Sequence, residues 1–136
     1  MQNFRQLQVW QKAHQLNLVF YPATAGFPKS EMFGLVSQIR RAGISITANL
    51  AEGCGRGSDA DFARFVFMAM GSACELESHL EVAKDLNFLS ENDYRATMDL
   101  LIQIKQMLVT FIQKLSPNRL QKKLTAEKLK AREPTT

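Results

Sequence analysis

Apolar residues recur along this chain at spacings of three and four, with polar residues between them. Leu35, Ile39, Ala42, Ile46, Leu50 and Gly53 mark one face of a helix. Val36, Ile44, Thr47, Ala48 and Ala51 widen that surface well past a single stripe. A helix apolar over most of its circumference is packed on several sides, so this stretch is expected to be the most enclosed of the fold. Its polar positions also repeat: Gln38, Arg41, Ser45, Asn49, Glu52 and Arg56 line one edge. Gly43 sits mid-helix, where glycine costs about 1 kcal/mol relative to alanine, and predicts a close approach by a neighbour.

Three other stretches show the same period. Over residues 4–24, Leu7, Trp10, His14, Leu18 and Tyr21 share a face, with Val9, Ala13, Leu16 and Phe20 beside it. Pro22 and the Gly26-Phe27-Pro28 turn are expected to end this segment, and His14 reads as a core-edge histidine with one hydrogen bond. After Pro28, Ser30 is a good N-cap for the second helix, with Glu31 in its first turn. The third helix opens at Ser58, three residues before Asp61, a variant of the capping box. Phe62, Phe65, Val66, Ala69, Ala73, Leu76, Leu80 and Ala83 form its core stripe, Phe67, Met70 and Cys74 a weaker one, and Glu77, Glu81 and Asp85 a solvated acidic edge. The fourth opens at Ser90, carries Tyr94, Met98, Leu101, Ile104, Leu108, Phe111 and Leu115 inward, and stops at Ser116-Pro117-Asn118.

Four helical segments, no credible strand and short connections predict an all-α fold: an antiparallel up-down-up-down four-helix bundle over residues 1–116. Helices of about 22–28 residues are roughly 33–42 Å long. Residues 117–136 form a mostly charged tail, in which Leu120, Leu124 and Leu129 are too few for independent burial. A short helix and disorder are both open there.

Charge divides the chain unevenly. Residues 1–113 hold ten basic and eleven acidic side chains, residues 114–136 seven basic and two acidic. The basic balance therefore belongs to the tail, which can attract nucleic acid or an anionic surface. No apolar run is long enough to span a membrane, and the first ten residues lack a secretory pattern. A cytoplasmic protein with two free thiols, Cys54 and Cys74, is the expectation.

Candidate chemistry narrows quickly. Gly53-Cys54-Gly55-Arg56-Gly57 has three glycines in five residues, yet no strand precedes it and no Gly-Lys-Ser/Thr follows, so it reads as a helix C-cap and tight turn. A di-iron bundle needs Glu-x-x-His on two helices, whereas Leu76 stands three before His79 and Gln11 three before His14. Cys54 has no histidine beside it in sequence to act as base. The expectation is a protein with no catalytic site, metal, cofactor or small-molecule substrate, and no membrane partner.

Binding remains. Arg40, Arg41, Arg56 and Arg64 cluster around the second and third helices, and Lys122 and Lys123 stand in the tail. Together they are the candidate phosphate contacts for RNA or DNA. The competing reading pairs the arginines with Glu52, Asp59 and Asp61, within or between subunits of a structural scaffold. Asn49, Glu52 and Gly53 are candidate structural or interface residues, because polar groups in an enclosed helix need partners.

Several motifs resemble one family. They are Leu7-x-Val9-Trp10-Gln11-x-Ala13, Phe27-Pro28-x-x-Glu31-x-Phe33-Gly34-Leu35, Gln38-Ile39-Arg40-Arg41-Ala42-x-x-Ser45-Ile46, Asn49-Leu50-Ala51-Glu52-Gly53 and Gly71-Ser72-x-x-Glu75-Leu76-Glu77. Across about residues 4–115 the chain is similar to the four-helix-bundle proteins encoded in intervening sequences of bacterial 23S rRNA genes. The resemblance implies an up-down bundle that assembles as a homopentamer. A related branch, the accessory variability protein of diversity-generating retroelements, implies binding of nucleic acid and a reverse transcriptase through basic surface. That branch is strongly basic, whereas residues 1–113 here are nearly neutral, so the nucleic-acid reading rests on Arg40, Arg41 and the tail.

Overall fold

The computed structural model describes residues 3–115 and 129–130. Four helices, α1 (Gln8–Ala25), α2 (Leu35–Cys54), α3 (Asp59–Asp85) and α4 (Glu91–Leu115), form an all-α bundle. Each helix packs on its two neighbours in a ring, α1 on α2 and α4, α3 on α2 and α4, with no diagonal packing among the described residues. The registers run antiparallel: Asn17 meets Thr47 and Thr24 meets Arg40 between α1 and α2, and Ser45 meets Ser72 between α2 and α3. At one end Phe27 lies 5.8 Å from Phe88, and at the other Phe62 lies 5.7 Å from Phe111, ring centroid to centroid.

The periodicity of α3 translates directly into its core. All eight residues of its predicted stripe are buried. Ser58 Oγ caps the helix by accepting from the Asp61 N–H at 3.2 Å, and Ser90 Oγ caps α4 by accepting from the Asp93 N–H at 3.1 Å. Asn87 adopts the left-handed conformation, φ 61°, just past α3. There the Phe88 N–H reaches back to the Ala83 carbonyl and the Asn87 N–H to that of Lys84, which closes the helix end.

The acidic edge of α3 is more than a solvated face. Glu77 accepts from Lys105 Nζ at 2.6 Å and Glu81 accepts a short hydrogen bond from the Tyr94 hydroxyl, so the edge ties α3 to α4. The bond to Glu81, then desolvation and the Glu81, Glu77 and Asp85 charges, push the Tyr94 phenol up to about 12. The unfolded phenol titrates near its ordinary 10, so the contribution to stability is complete below that pH and is lost as pH rises from 10 to 12. Ultraviolet titration of the two tyrosines is expected to show one ionising late, and Tyr94→Phe should delete that late phase.

Four expectations need correction. Pro22 does not end α1; the helix continues to Ala25, with Pro22 itself exposed in the last turn, where the N–H bond back to Leu18 is forfeited. The face of α1 that enters the core is Val9, Ala13, Leu16 and Phe20, with Leu7 buried and Trp10 partly buried beside it, while Leu18 is 63% exposed and His14 faces solvent, stacked on Trp10. Ser30 is not the N-cap of α2: it lies in a short 3-10 turn, Lys29–Glu31, and the Glu31 carboxylate accepts from the Leu35 N–H instead. Finally, α2 is not enclosed all round. Val36, Ile39, Ala42, Gly43, Ile46, Thr47, Leu50, Gly53 and Cys54 are buried, but Arg41, Ile44, Ala48 and Glu52 face outward. Alanine and isoleucine carry no sign of which side they take, so apolar breadth overstated enclosure.

Candidate nucleic-acid interface

Gly43 sets the geometry of the α1–α2 side. A Cβ there would collide with the Phe20 ring and the Asn17 amide, so only a glycine lets the two helices close this far. Gly53 plays the same part between α2 and α3: a Cβ would sit 2.9 Å from Phe65 Cβ and 3.0 Å from Phe62 Cδ2. These two close approaches fix which side chains of α2 are left on the outside.

The four candidate arginines divide into different roles. Arg40 is half-buried: Nε donates to Thr24 Oγ1 and Nη2 to the Tyr21 carbonyl, both at 3.1 Å, with the guanidinium 4.4 Å from the Tyr21 ring centroid. It clamps the last turn of α1, the negative end of that helix. Arg41 is exposed and makes no ion pair among the described residues. Arg56 pairs with Glu52 at 2.9 Å, with both side chains about half exposed. Arg56 and Arg64 lie over the same Phe65 ring, 5.1 and 5.3 Å from its centroid. Lys122 and Lys123 lie outside the described residues.

The polar edge of α2 is satisfied locally. Asn49 Nδ2 donates to the Ser45 carbonyl at 2.8 Å and to Ser45 Oγ at 3.1 Å, and Ser45 Oγ meets Ser72 Oγ at 2.8 Å across the α2–α3 seam. Glu52 and Arg56 form an i, i+4 pair exposed enough to be worth only a few tenths of a kcal/mol. The glycine-rich turn lines a cavity of about 250 Å³ with Cys54, Ser58, Phe62 and Phe111. Asp59 and Asp61 occupy the first turn of α3 beside it, so the helix N-terminus is already balanced by acids and does not invite a phosphate. Burial pushes the Cys54 thiol up, away from the reactive thiolate. No group of three or more metal-ligating side chains occurs among the described residues.

What the individual motifs do not reveal is a division of charge across the bundle. Residues 1–54, through the end of α2, carry five basic side chains (Arg5, Lys12, Lys29, Arg40, Arg41) and two acidic ones (Glu31, Glu52), a net of +3. Residues 55–115 carry six basic and nine acidic, a net of −3. Because consecutive helices are neighbours, the first group is one side of the molecule and the second the other. The signal was in the sequence: no acid precedes Glu31. It becomes a surface property only once α1 and α2 are known to lie side by side.

A four-helix bundle with one basic and one acidic side is the class of protein these features define. The chain belongs to the 23S rRNA-intervening sequence protein family, whose model matches residues 5–110. Its fold is similar to that of a protein of unknown function of the S23 ribosomal protein family from Bacteroides thetaiotaomicron, with a TM-score of 0.70, 24% identity, and coverage of 77% of this chain and 98% of that one. No curated protein matches the chain. No helix among the described residues is long and apolar enough to cross a membrane.

Proposed function

We propose that this chain is a non-catalytic, self-associating bundle of the cytoplasm that binds nucleic acid through its α1–α2 side, with Lys122 and Lys123 of the basic tail as further phosphate contacts. The observation that carries the reading is the charge division: net +3 through α2 against net −3 beyond it. A polyanion is attracted to one side and repelled by the other, which orients it as well as holds it. Arg41 is the most available cation on α2; Arg56 and Arg64 lie beyond α2, on the α3 flank, and extend the patch only at the turn.

Self-association, as a pentamer by family resemblance, is supported by apolar side chains left on the surface. Phe33 is 94% exposed, Met68 49% and Ile44 47%. A scaffold that binds no nucleic acid would share those residues but not the affinity. Filter binding of structured RNA at low and at about 0.2 M salt separates the two. Counterion release predicts that affinity falls by orders of magnitude over that range if several phosphates are held. Weak retention that ignores salt would support the scaffold and count against the proposal.

A further inference from the structure

An apolar edge of α4 has no partner within the bundle. Ile102 and Val109 are 48% and 42% exposed. With Met98 and Lys105 of α4 and Met70 and Glu77 of α3 they line a groove of about 500 Å³ along the outer α3–α4 seam. Acids continue along the same edge of α3: Glu77, Glu81 and Asp85 recur every four residues, and Lys105, 2.6 Å from Glu77, offsets only one of them. Followed in the direction of α3, the groove is apolar at Met70 and acidic from Glu77 onward.

The chain leaves α4 beside the apolar end. Lys105 meets Glu77 and the two helices run antiparallel, so Leu115, ten residues on, lies near the level of Phe67. Residues 116–136 carry six basic and two acidic side chains, a net of +4, against −3 for residues 55–115. Apart from Leu129 and Lys130 they lie outside the described residues. Their sequence holds a second stripe: Leu120, Leu124, Lys128 and Arg132 recur every four residues, one edge of a helix. We infer that residues 119–132 turn back at Ser116-Pro117-Asn118 and dock as a helix in the α3–α4 groove of their own chain. This goes beyond the nucleic-acid reading and does not depend on it. In that register Leu120 and Leu124 cover Met70 and Val109, while Lys128 and Arg132 reach Glu77 and Glu81. The lengths agree: Leu120 to Lys128 rises about 12 Å and Met70 to Glu77 about 10.5 Å. Leu129 falls on the far side of such a helix, and it is helical and 59% exposed. The groove on the other flank of α4, of about 530 Å³, begins as near to the tail but is lined by uncharged residues such as Gln6, Leu7, Gln103 and Met107, so it does not select a basic segment. A second copy presents the same acidic groove, but a three-residue tether holds the chain's own tail at high effective concentration.

Limited trypsin digestion of the full chain tests the docking, with cleavage at Arg119, Lys122 and Lys123 followed by mass spectrometry against a synthetic peptide of residues 116–136. The docked tail is expected to be cut at least about tenfold more slowly than the peptide, because cleavage tracks the open population. Leu120→Ser with Leu124→Ser, and separately Ile102→Gln with Val109→Gln, should each return the rate to within about twofold of the peptide's. The first pair lies outside the bundle and the second at exposed positions, so both variants are expected to keep a cooperative melt close to the parent's. Carbodiimide treatment of the parent is expected to join Lys128 to Glu77 or Glu81 within one chain, giving a product that runs as a monomer on a denaturing gel. A parent tail cut as fast as the free peptide would overturn the docking, and so would protection that survives both pairs of substitutions. Cross-links found only between chains would seat the tail on a second copy and overturn docking within the chain.

Discussion

Gly43→Ala is expected to destabilise the bundle by about 2 kcal/mol, even though alanine is the better helix former. In an exposed helix interior the substitution would gain about 1 kcal/mol. Here the added methyl meets the Phe20 ring and the Asn17 amide at separations that no side chain tolerates, and Phe20 is fully buried. Overpacking of a close-packed core costs about 1–3 kcal/mol and sometimes more, and the severity of this clash places it at the upper end. For a chain of this size the net loss corresponds to a melting point roughly 8 °C lower. Asn17 adds to the cost. Its Nδ2 reaches Thr47 Oγ1 only at 3.5 Å and its Oδ1 has no hydrogen-bond partner, so it has nothing in reserve with which to absorb a shift. Phe20→Leu alone opens space and is also destabilising, but combined with Gly43→Ala it should lose less than the sum. The thermal melts of the two single variants and the double variant measure that coupling, expected at about 1 kcal/mol or more. A Gly43→Ala melt equal to or above the parent would refute the close approach of α1 and α2.

The close approach was legible in the sequence because a mid-helix glycine has few other reasons to be there. The core of α3 was legible too: Phe62 to Ala83 repeats against a face carrying Asp61, Arg64, Glu75 and Glu81, and polar residues mark the outside. α1 offers no such mark. Its one charged residue is Lys12, and Trp10, Leu18 and Tyr21 compete with Val9, Leu16 and Phe20 for the core. Periodicity alone cannot rank two apolar faces of one helix: of the face bearing Trp10, Leu18 and Tyr21, Trp10 packs partly buried against the core while Leu18 and Tyr21 turn outward. The same ambiguity hid Ile44 and Ala48 on the outside of α2. For the candidate site, Arg40 and Arg41 look equivalent as neighbours in sequence. Their difference lies in partners 16 and 19 residues away, which are set by the register between α1 and α2.

That difference makes Arg40 and Arg41 separable by experiment. Arg40→Ala removes two hydrogen bonds from a charged donor and the cation over the Tyr21 ring. Such bonds are worth about 1.5–3 kcal/mol when buried. Partial exposure discounts them to about 1–2 kcal/mol here, which lowers the melting point by roughly 4–8 °C. Arg40→Lys keeps the charge but not the planar fork that reaches Thr24 and Tyr21 together, so it should melt nearly as low. Arg41→Ala, at an exposed position without an ion pair among the described residues, is expected to change stability by no more than about 0.5 kcal/mol. Its effect should fall on binding instead. Removing one cation from a phosphate lowers the slope of log affinity against log salt by about 0.7–0.9, uniformly across RNA sequences. Parallel melts and salt titrations of the three variants therefore predict a crossed pattern, with Arg40 governing the melt and Arg41 the slope. An Arg41→Ala protein that melts as low as Arg40→Ala would place Arg41 in a structural role and remove it from the interface. An unchanged slope would remove it on the binding side, because a guanidinium that meets no phosphate releases no counterion.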